Sequence, residues 1–360
     1  MAEKVLLTNL SYEELEPWVV SQGQPSFRAQ QIFGWIYRSL VFDFGRMSNL
    51  PNAFRDSLED SACVQPLGPL DTVTSASGMT RKALFELTDG ETIETVLMRY
   101  EGRQTVCLST QVGCAIGCPF CATGQSGFAR NLTAGEIIAQ VLHFARELQP
   151  RGELITNVVF MGMGEPLANY DATWQTIRIL NDSRGLGLGA RRFTVSTVGL
   201  VPGIRRLAQE ALPVGLAVSL HAADDTLRDR LVPTNQQYPL AALLKACRDY
   251  AQRTRRRVTF EYALMDGLND SVEQARQLGS LLRGSLCHVN LIPLNPTEGC
   301  DYRPSDHKRV LEFRAELNRM GIANTVRLAR GIGIHAGCGQ LRSRARHRSK
   351  RMPPSDGNEP

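Results

Sequence analysis

From about residue 100 onward, short apolar runs with period-two alternation take turns with longer stretches whose apolar residues recur every three to four positions. The strand-like runs fall at 105–109, 157–161, 192–197, 214–220, 258–264 and 288–291, with a late one at 324–328. Helical patterns lie between them at about 133–148, 170–182, 200–211, 239–252, 271–283 and 305–320. In the first of these, Ile137, Ile138, Val141, Leu142 and Ala145 share one stripe. Strands alternating with helices imply a parallel sheet. Six such units are too few to close an eight-stranded barrel, so the pattern predicts an α/β fold: an open, partial (βα)6 TIM-like barrel. In barrels of this kind the chemistry gathers at the C-terminal ends of the strands.

Ahead of the barrel the period is helical. Ser11-Tyr-Glu-Glu14 has capping-box spacing, followed by Leu15, Trp18 and Val19, while Pro17 predicts a late start or a kink. A second helix follows Pro25-Ser26, with Ile32, Phe33, Ile36, Tyr37 and Leu40 on one face. A third starts at Leu50-Pro51 and buries Phe54 and Leu58. Arg28, Arg38, Arg46 and Arg55 sit among these apolar positions, either as a solvated face or as RNA contacts. Residues 82–87 and 91–98 flank Thr88-Asp-Gly90, a turn that predicts a hairpin. The chain therefore divides into a helical N-terminal domain (1–70), a β-hairpin linker (71–99), the barrel core (100–341) and a tail (342–360).

Candidate chemistry begins just past the first barrel strand. Cys114, Cys118 and Cys121 form a CxxxCxxC spacing, three thiolates where a fully ligated cubane iron–sulfur cluster takes four. A 4Fe–4S cluster so held keeps one iron open to an amine and a carboxylate, such as those of S-adenosylmethionine. Buried structural thiols or a partial zinc site is the competing reading. Later strand ends add polar groups: Gly164 and Glu165 in Met161-Gly-Met-Gly-Glu-Pro166, then Ser196, then Ser219-Leu220-His221, then Asn295. Together they suit a ligand carrying an amine, a ribose and an adenine. Cys107 lies in the first barrel strand. Cys338 lies between glycines in 331–341, a setting that leaves a thiol exposed for nucleophilic or exchange chemistry. Cys63, Cys247, Cys287 and Cys300 read as small buried hydrophobes.

Composition narrows the class. In 360 residues, 42% hydrophobic, no run reaches the ~18 apolar residues of a membrane span. Nine cysteines without a secretory signal point to a reducing cytoplasm and not to a disulfide framework. Of the net charge of +5, four units sit in residues 341–360, where six cations face two acids. Such a tail is expected to be disordered and either to touch nucleic acid or simply to solubilise the chain.

Read together, these motifs resemble the radical-S-adenosylmethionine methyltransferases that modify carbon 2 of adenine in 23S ribosomal RNA and in certain tRNAs. The match includes Phe27-Arg-Ala-Gln-Gln-Ile32, Trp35-Ile-Tyr37, Ile93-Glu-Thr-Val96, the cysteine loop, Gly162-Met-Gly-Glu-Pro166, Ser219-Leu-His221, Asn290-Leu-Ile-Pro293 and Ala336-Gly-Cys-Gly-Gln-Leu341. The resemblance implies a radical-SAM partial barrel in which Cys114, Cys118 and Cys121 bind a 4Fe–4S cluster. It implies that Gly164, Glu165, Ser196, Ser219, Leu220, His221 and Asn295 line the S-adenosylmethionine site. Cys338 would carry the methyl group as S-methylcysteine, Cys107 would resolve the RNA–protein adduct through a transient disulfide, and Glu94 would accept a proton. The implied partners are 23S rRNA, tRNA and a reductant such as a flavodoxin or ferredoxin, acting on a monomer with no membrane attachment. A sister enzyme that methylates carbon 8, and a non-catalytic zinc or RNA-binding protein, are the alternatives. Family members usually carry an acidic residue where Gly333 stands, and the tail lies outside the resemblance.

Overall fold

The computed structural model describes residues 4–327 and 331–341. The basic tail expected to be disordered falls outside the described residues, as does Leu328 at the end of the last predicted strand.

The N-terminal unit is built on α1 (Tyr12–Ser21), α2 (Phe27–Tyr37) and α3 (Asn52–Ser61), closed by two parallel two-residue strands, β1 (Val5–Leu6) and β2 (Ala62–Cys63). The expected late start of α1 is not seen. Ser11 and Glu14 form a full capping box, and this fixes the first turn upstream of Pro17, which stays inside the helix. The arginines of this unit mostly serve the fold. Arg28 donates to the Asn49 carbonyl, Arg38 to the Ser183 carbonyl, and Arg55 to Gly45 and Asn52.

Next come β3 (Gly68–Thr74), β4 (Thr80–Glu86), β5 (Thr92–Tyr100) and β6 (Arg103–Cys107), an antiparallel series. β7 (Gln111–Gly113), α4 (Ala122–Gln125) and β8 (Phe128–Asn131) form a small hairpin off the end of β6. The βα alternation then runs α5 (Ala134–Leu148), β9 (Asn157–Phe160), α6 (Tyr170–Asn181), β10 (Phe193–Thr197), α7 (Val201–Leu207), β11 (Gly215–Ser219) and α8 (Asp225–Leu231). It continues with α9 (Leu240–Thr254), β12 (Val258–Leu264), α10 (Val272–Leu282), β13 (Cys287–Pro293), α11 (His307–Arg319) and β14 (Asn324–Val326).

One ten-stranded sheet carries the molecule, ordered β14-β13-β12-β11-β10-β9-β6-β5-β4-β3. From β6 to β14 the strands are parallel and open at the far edge, as the alternating pattern predicts. The hairpin strands hydrogen-bond straight onto β6 and extend the same sheet. Runs such as Val258–Leu264 are buried nearly throughout because helices cover the sheet. Helix starts are set by side-chain caps: Thr133 with Glu136 for α5, Asp224 for α8, Ser271 with Gln274 for α10 and Asp306 for α11. Among the described residues no helix is long and apolar enough to cross a membrane.

The mostly exposed β3 and the seven-residue α8 are absent from the sequence reading. An edge strand with few buried side chains lacks clean alternation, and α8 offers only Leu227 and Leu231 as apolar positions, where α7 of equal length has Val201, Ile204 and Leu207.

Candidate functional site

The turn after β7 is shaped by glycine. Gly113 has φ +74°, and a Cβ there would stand 1.9 Å from the Gly127 carbonyl oxygen, which accepts from the Cys114 N–H at 2.8 Å. Gly124 is also tightly packed, its imaginary Cβ 2.9 Å from the backbone of Cys118. The hairpin thus folds the three-cysteine segment into a compact loop beyond the C-terminal end of β6.

That loop walls one side of a cavity of about 1120 Å³, counted out to its open mouth. Cys114, Cys118 and Cys121 line it together with Gly164, Glu165, Ser196, Ser219, His221, Asn295 and Cys338. These positions come from loops and strand ends spread over more than two hundred residues of sequence. Leu220 is fully buried behind the wall, and its carbonyl accepts from Arg228 Nε. Cys107 and Glu94 also lie off the cavity, behind the 331–341 loop.

The electrostatics follow from burial. Desolvation pushes the Cys114 thiol up to about 12, and it pushes Cys118 well above its ordinary value, with the neighbouring cysteine charges adding to both. Buried thiols of this kind ionise only against a cation placed among them. Among the described residues no three of His, Cys, Asp and Glu converge closely enough to hold one metal ion. Three thiols lining one void are the donor type that iron–sulfur groups take.

Glu165 is 3% exposed, and burial raises its carboxyl to about 7 despite the Val198 N–H, the Thr197 hydroxyl and the Leu167 N–H that hydrogen-bond to it. A ligand ammonium beside it would restore its charge. Gly164 (φ +100°) brings the backbone against Gln111, whose Oε1 accepts from the Glu165 N–H at 2.8 Å. His221, in the left-handed region at φ +61°, accepts the Ala263 N–H on Nδ1 at 3.0 Å. Its proton therefore sits on Nε2, and burial lowers its pKa to about 3, so the ring is a neutral donor. Asn295 donates through Nδ2 to the Cys338 carbonyl at 3.0 Å, while its Oδ1 is buried without a partner, an acceptor placed for a ligand donor.

The Cys338 loop is fastened to the cysteine loop: Ala122 N–H donates to the Gly339 carbonyl and Thr123 Oγ1 to the Leu341 carbonyl. Gly337 packs against this pair: a Cβ would stand 2.8 Å from both Asn295 Nδ2 and Gln340 Oε1 and would push those side-chain ends aside. Cys338 is accessible, and its accessible surface opens into the cavity. Loss of solvent around the sulfur raises the thiol, with the Arg327 guanidinium pulling the other way. Cys107 is buried close enough to Cys338 that charge on one disfavours charge on the other, and burial lifts it to about 12.

Several contributors escape the sequence reading. Arg228, 1% exposed, donates to the carbonyls of Val198, Ser219 and Leu220 and so ties the ends of β10 and β11 together. Glu261, held by Asn290 and Arg327, lines the cavity beside Cys338. Lys82 forms a buried ion pair with Glu94 at 2.7 Å. For Lys82 and Glu261 the available signal was a charge within a strand's apolar run, which burial permits only with a partner; Arg228, on the short helix α8, gave none.

Comparison with known proteins is consistent with this arrangement. Residues 5–64 match the model for the ribosomal RNA large subunit methyltransferase N-terminal domain, and residues 108–278 match the radical SAM superfamily. The chain is 48% identical to a probable dual-specificity RNA methyltransferase RlmN of Roseiflexus castenholzii, covering 93% of this chain and 95% of the relative. It is 48% identical to a ribosomal RNA large subunit methyltransferase N of Nitrosopumilus maritimus, covering 94% and 98%. A crystal structure of a radical SAM methyltransferase from Sphaerobacter thermophilus superposes with TM-score 0.92 at 52% identity, over 94% of this chain and 99% of that one.

Proposed function

Because this chain belongs to the RlmN family of radical SAM methyltransferases, we propose that it methylates carbon 2 of an adenosine in 23S rRNA and of the adenosine 3′ of the anticodon in some tRNAs. Cys114, Cys118 and Cys121 hold a 4Fe–4S cluster, and Glu165, Ser196, Ser219, His221 and Asn295 hold S-adenosylmethionine. Held by these three cysteines and fed by a flavodoxin or ferredoxin, such a cluster would supply one-electron reduction of S-adenosylmethionine, the source of a hydrogen-abstracting radical.

The remaining work falls to the chain's own side chains. The Cys338 thiolate displaces the methyl of one S-adenosylmethionine and carries it as a thioether, releasing S-adenosylhomocysteine. Carbon 2 of adenine is electron-poor and its hydrogen is not acidic, so direct displacement from a sulfonium fails and a sulfur-borne carbon is needed. Loss of a hydrogen atom from the Cys338-borne methyl leaves a carbon radical that adds to ring carbon 2. The adduct gives up one electron to an oxidant, for which the oxidised cluster would serve, and Glu94 takes the ring proton that must leave for aromaticity to return. The Cys107 thiolate then attacks the Cys338 sulfur, and the bond from that sulfur to the transferred carbon breaks with its electron pair passing to the carbon and the ring. A proton added to that carbon completes the methyl group, and a Cys107–Cys338 disulfide remains for external thiols to reduce. The 1–70 domain grips RNA so that the target base is turned out of its stack toward the cavity.

The observation that carries this reading is the shared cavity: three cysteines on one wall, Cys338 on another, and an unpartnered Asn295 oxygen between strand ends suited to a nucleoside. Anaerobically prepared protein is expected to bind iron, and Cys338→Ala to transfer no methyl to RNA while still binding it. Mass spectrometry of digested rRNA against standards of both methyladenosine isomers reads the ring position. Iron-free protein, methylation by Cys338→Ala, or the carbon-8 isomer would overturn the proposal.

A further inference from the structure

Lys82 stands where a charge is costly, 5% exposed on β4, the strand next to the β3 edge of the sheet. Lys82, Val96 and Cys107 lie directly opposite one another across β4, β5 and β6, so their side chains share a face. Glu94, two residues along β5 from Val96, falls on the same face, diagonal to Lys82. The register thus gathers an ammonium, a carboxylate and a thiol on one patch of sheet. The 331–341 loop lies over that patch: Lys82 Nζ donates to the His335 carbonyl at 3.1 Å, three residues before Cys338. Strand β4 meets the loop again at Gly331, where a Cβ would stand 2.9 Å from Thr80 Cγ2.

One ammonium therefore joins Glu94 to the backbone that carries Cys338. Packing alone gives no reason for the pair, since two apolar side chains of similar volume would fill the same space without the cost of burying two charges. We infer that Lys82 is a positioning residue for methyl transfer: it holds the Glu94 carboxylate in fixed register with the Cys338 loop, so that the proton acceptor faces the base attached to that sulfur. The inference rests on the roles given above to Glu94 and Cys338.

The test uses the full-length, cluster-loaded chain with an rRNA fragment, S-adenosylmethionine and reductant, comparing Lys82→Met, Lys82→Arg, Glu94→Gln and the Lys82→Met/Glu94→Gln pair. Three quantities are read: the methyl on Cys338 by peptide mass, the rate of RNA methylation, and covalent protein–RNA species. Lys82→Met is expected to acquire the Cys338 methyl yet methylate RNA roughly 10- to 100-fold more slowly, the scale of a small misplacement of a catalytic group. The stalled protein–RNA adduct is expected to accumulate. Lys82→Arg, which keeps a cation, is expected to recover most of the rate. Because Lys82 acts through Glu94, adding Lys82→Met to Glu94→Gln is expected to cost no more than about threefold further.

Losses that multiply in the double variant, a wild-type rate in Lys82→Met, or a Lys82→Arg as slow as Lys82→Met would overturn the inference. Should the single Met variant not fold, the charge-free double variant against Glu94→Gln decides alone. A wild-type chain that leaves RNA unmethylated would instead bring down the reading beneath it.

Discussion

At the scale of single residues, the cavity shows how burial sets protonation. His221 is buried neutral, with Nδ1 committed to the Ala263 N–H. Its pKa is about 3 in the folded chain against 6.5 ordinarily, so between those values the unfolded chain binds more protons. Its contribution to stability is complete above about pH 6.5 and is lost as pH falls toward 3. Asparagine can offer the same acceptor without titrating. His221→Asn is therefore expected to lose about 3 kcal/mol less than wild type between pH 7 and pH 4. Urea unfolding at the two pH values measures this, and equal losses would contradict the assignment. Sequence announced His221 as a polar residue at a strand end. The tautomer and the neutral state needed the Ala263 backbone and the surrounding core.

Among the elements, the cysteine hairpin depends most on glycine. Alanine at Gly113 must either displace the Gly127 carbonyl or abandon φ +74°, and either change moves Cys114, whose N–H bonds that carbonyl. Gly113→Ala is expected to cost about 3 kcal/mol of stability. It should also lower iron content after anaerobic reconstitution, read by metal analysis beside thermal melts. Unchanged iron would show that the loop tolerates a different turn. The spacing of the cysteines was legible in the sequence. The β7–β8 pairing that folds their loop was not, because three- and four-residue strands carry too few positions for alternation to show. The longer barrel strands and helices were legible from their own period, and the short β9 and β14 from their place in the alternation with helical patterns.

At the scale of the whole molecule, one continuous apolar core joins the N-terminal unit to the barrel. Leu7 is 1% exposed, and Gly135 at the start of α5 is packed against Leu6, Thr8 and Asn9, with its N–H donating to Asn9 Oδ1 at 2.7 Å. Gly185 is wedged against Phe33 and Tyr37. Removing residues 1–64 uncovers these faces of α5 and of the segment after α6. The truncated chain is expected to melt about 10 °C lower or more and to lose solubility. An unchanged melting temperature would show that the helical unit is a detachable module, and RNA binding by the remainder could then be measured directly.

The local code of this chain determined its periodic elements, its helix caps and the identities of its reactive side chains, since each depends on neighbours within a few positions. Only the tertiary structure decided that Lys82, Glu94 and Cys107 share a face, that Arg228 ties two strand ends, and that the loop bearing Cys338 closes over the cysteine hairpin. Those arrangements are set by strand register and by contacts between segments hundreds of residues apart. Register shifted by one residue would turn each of these side chains to the opposite face, and nothing in a short window of sequence fixes it.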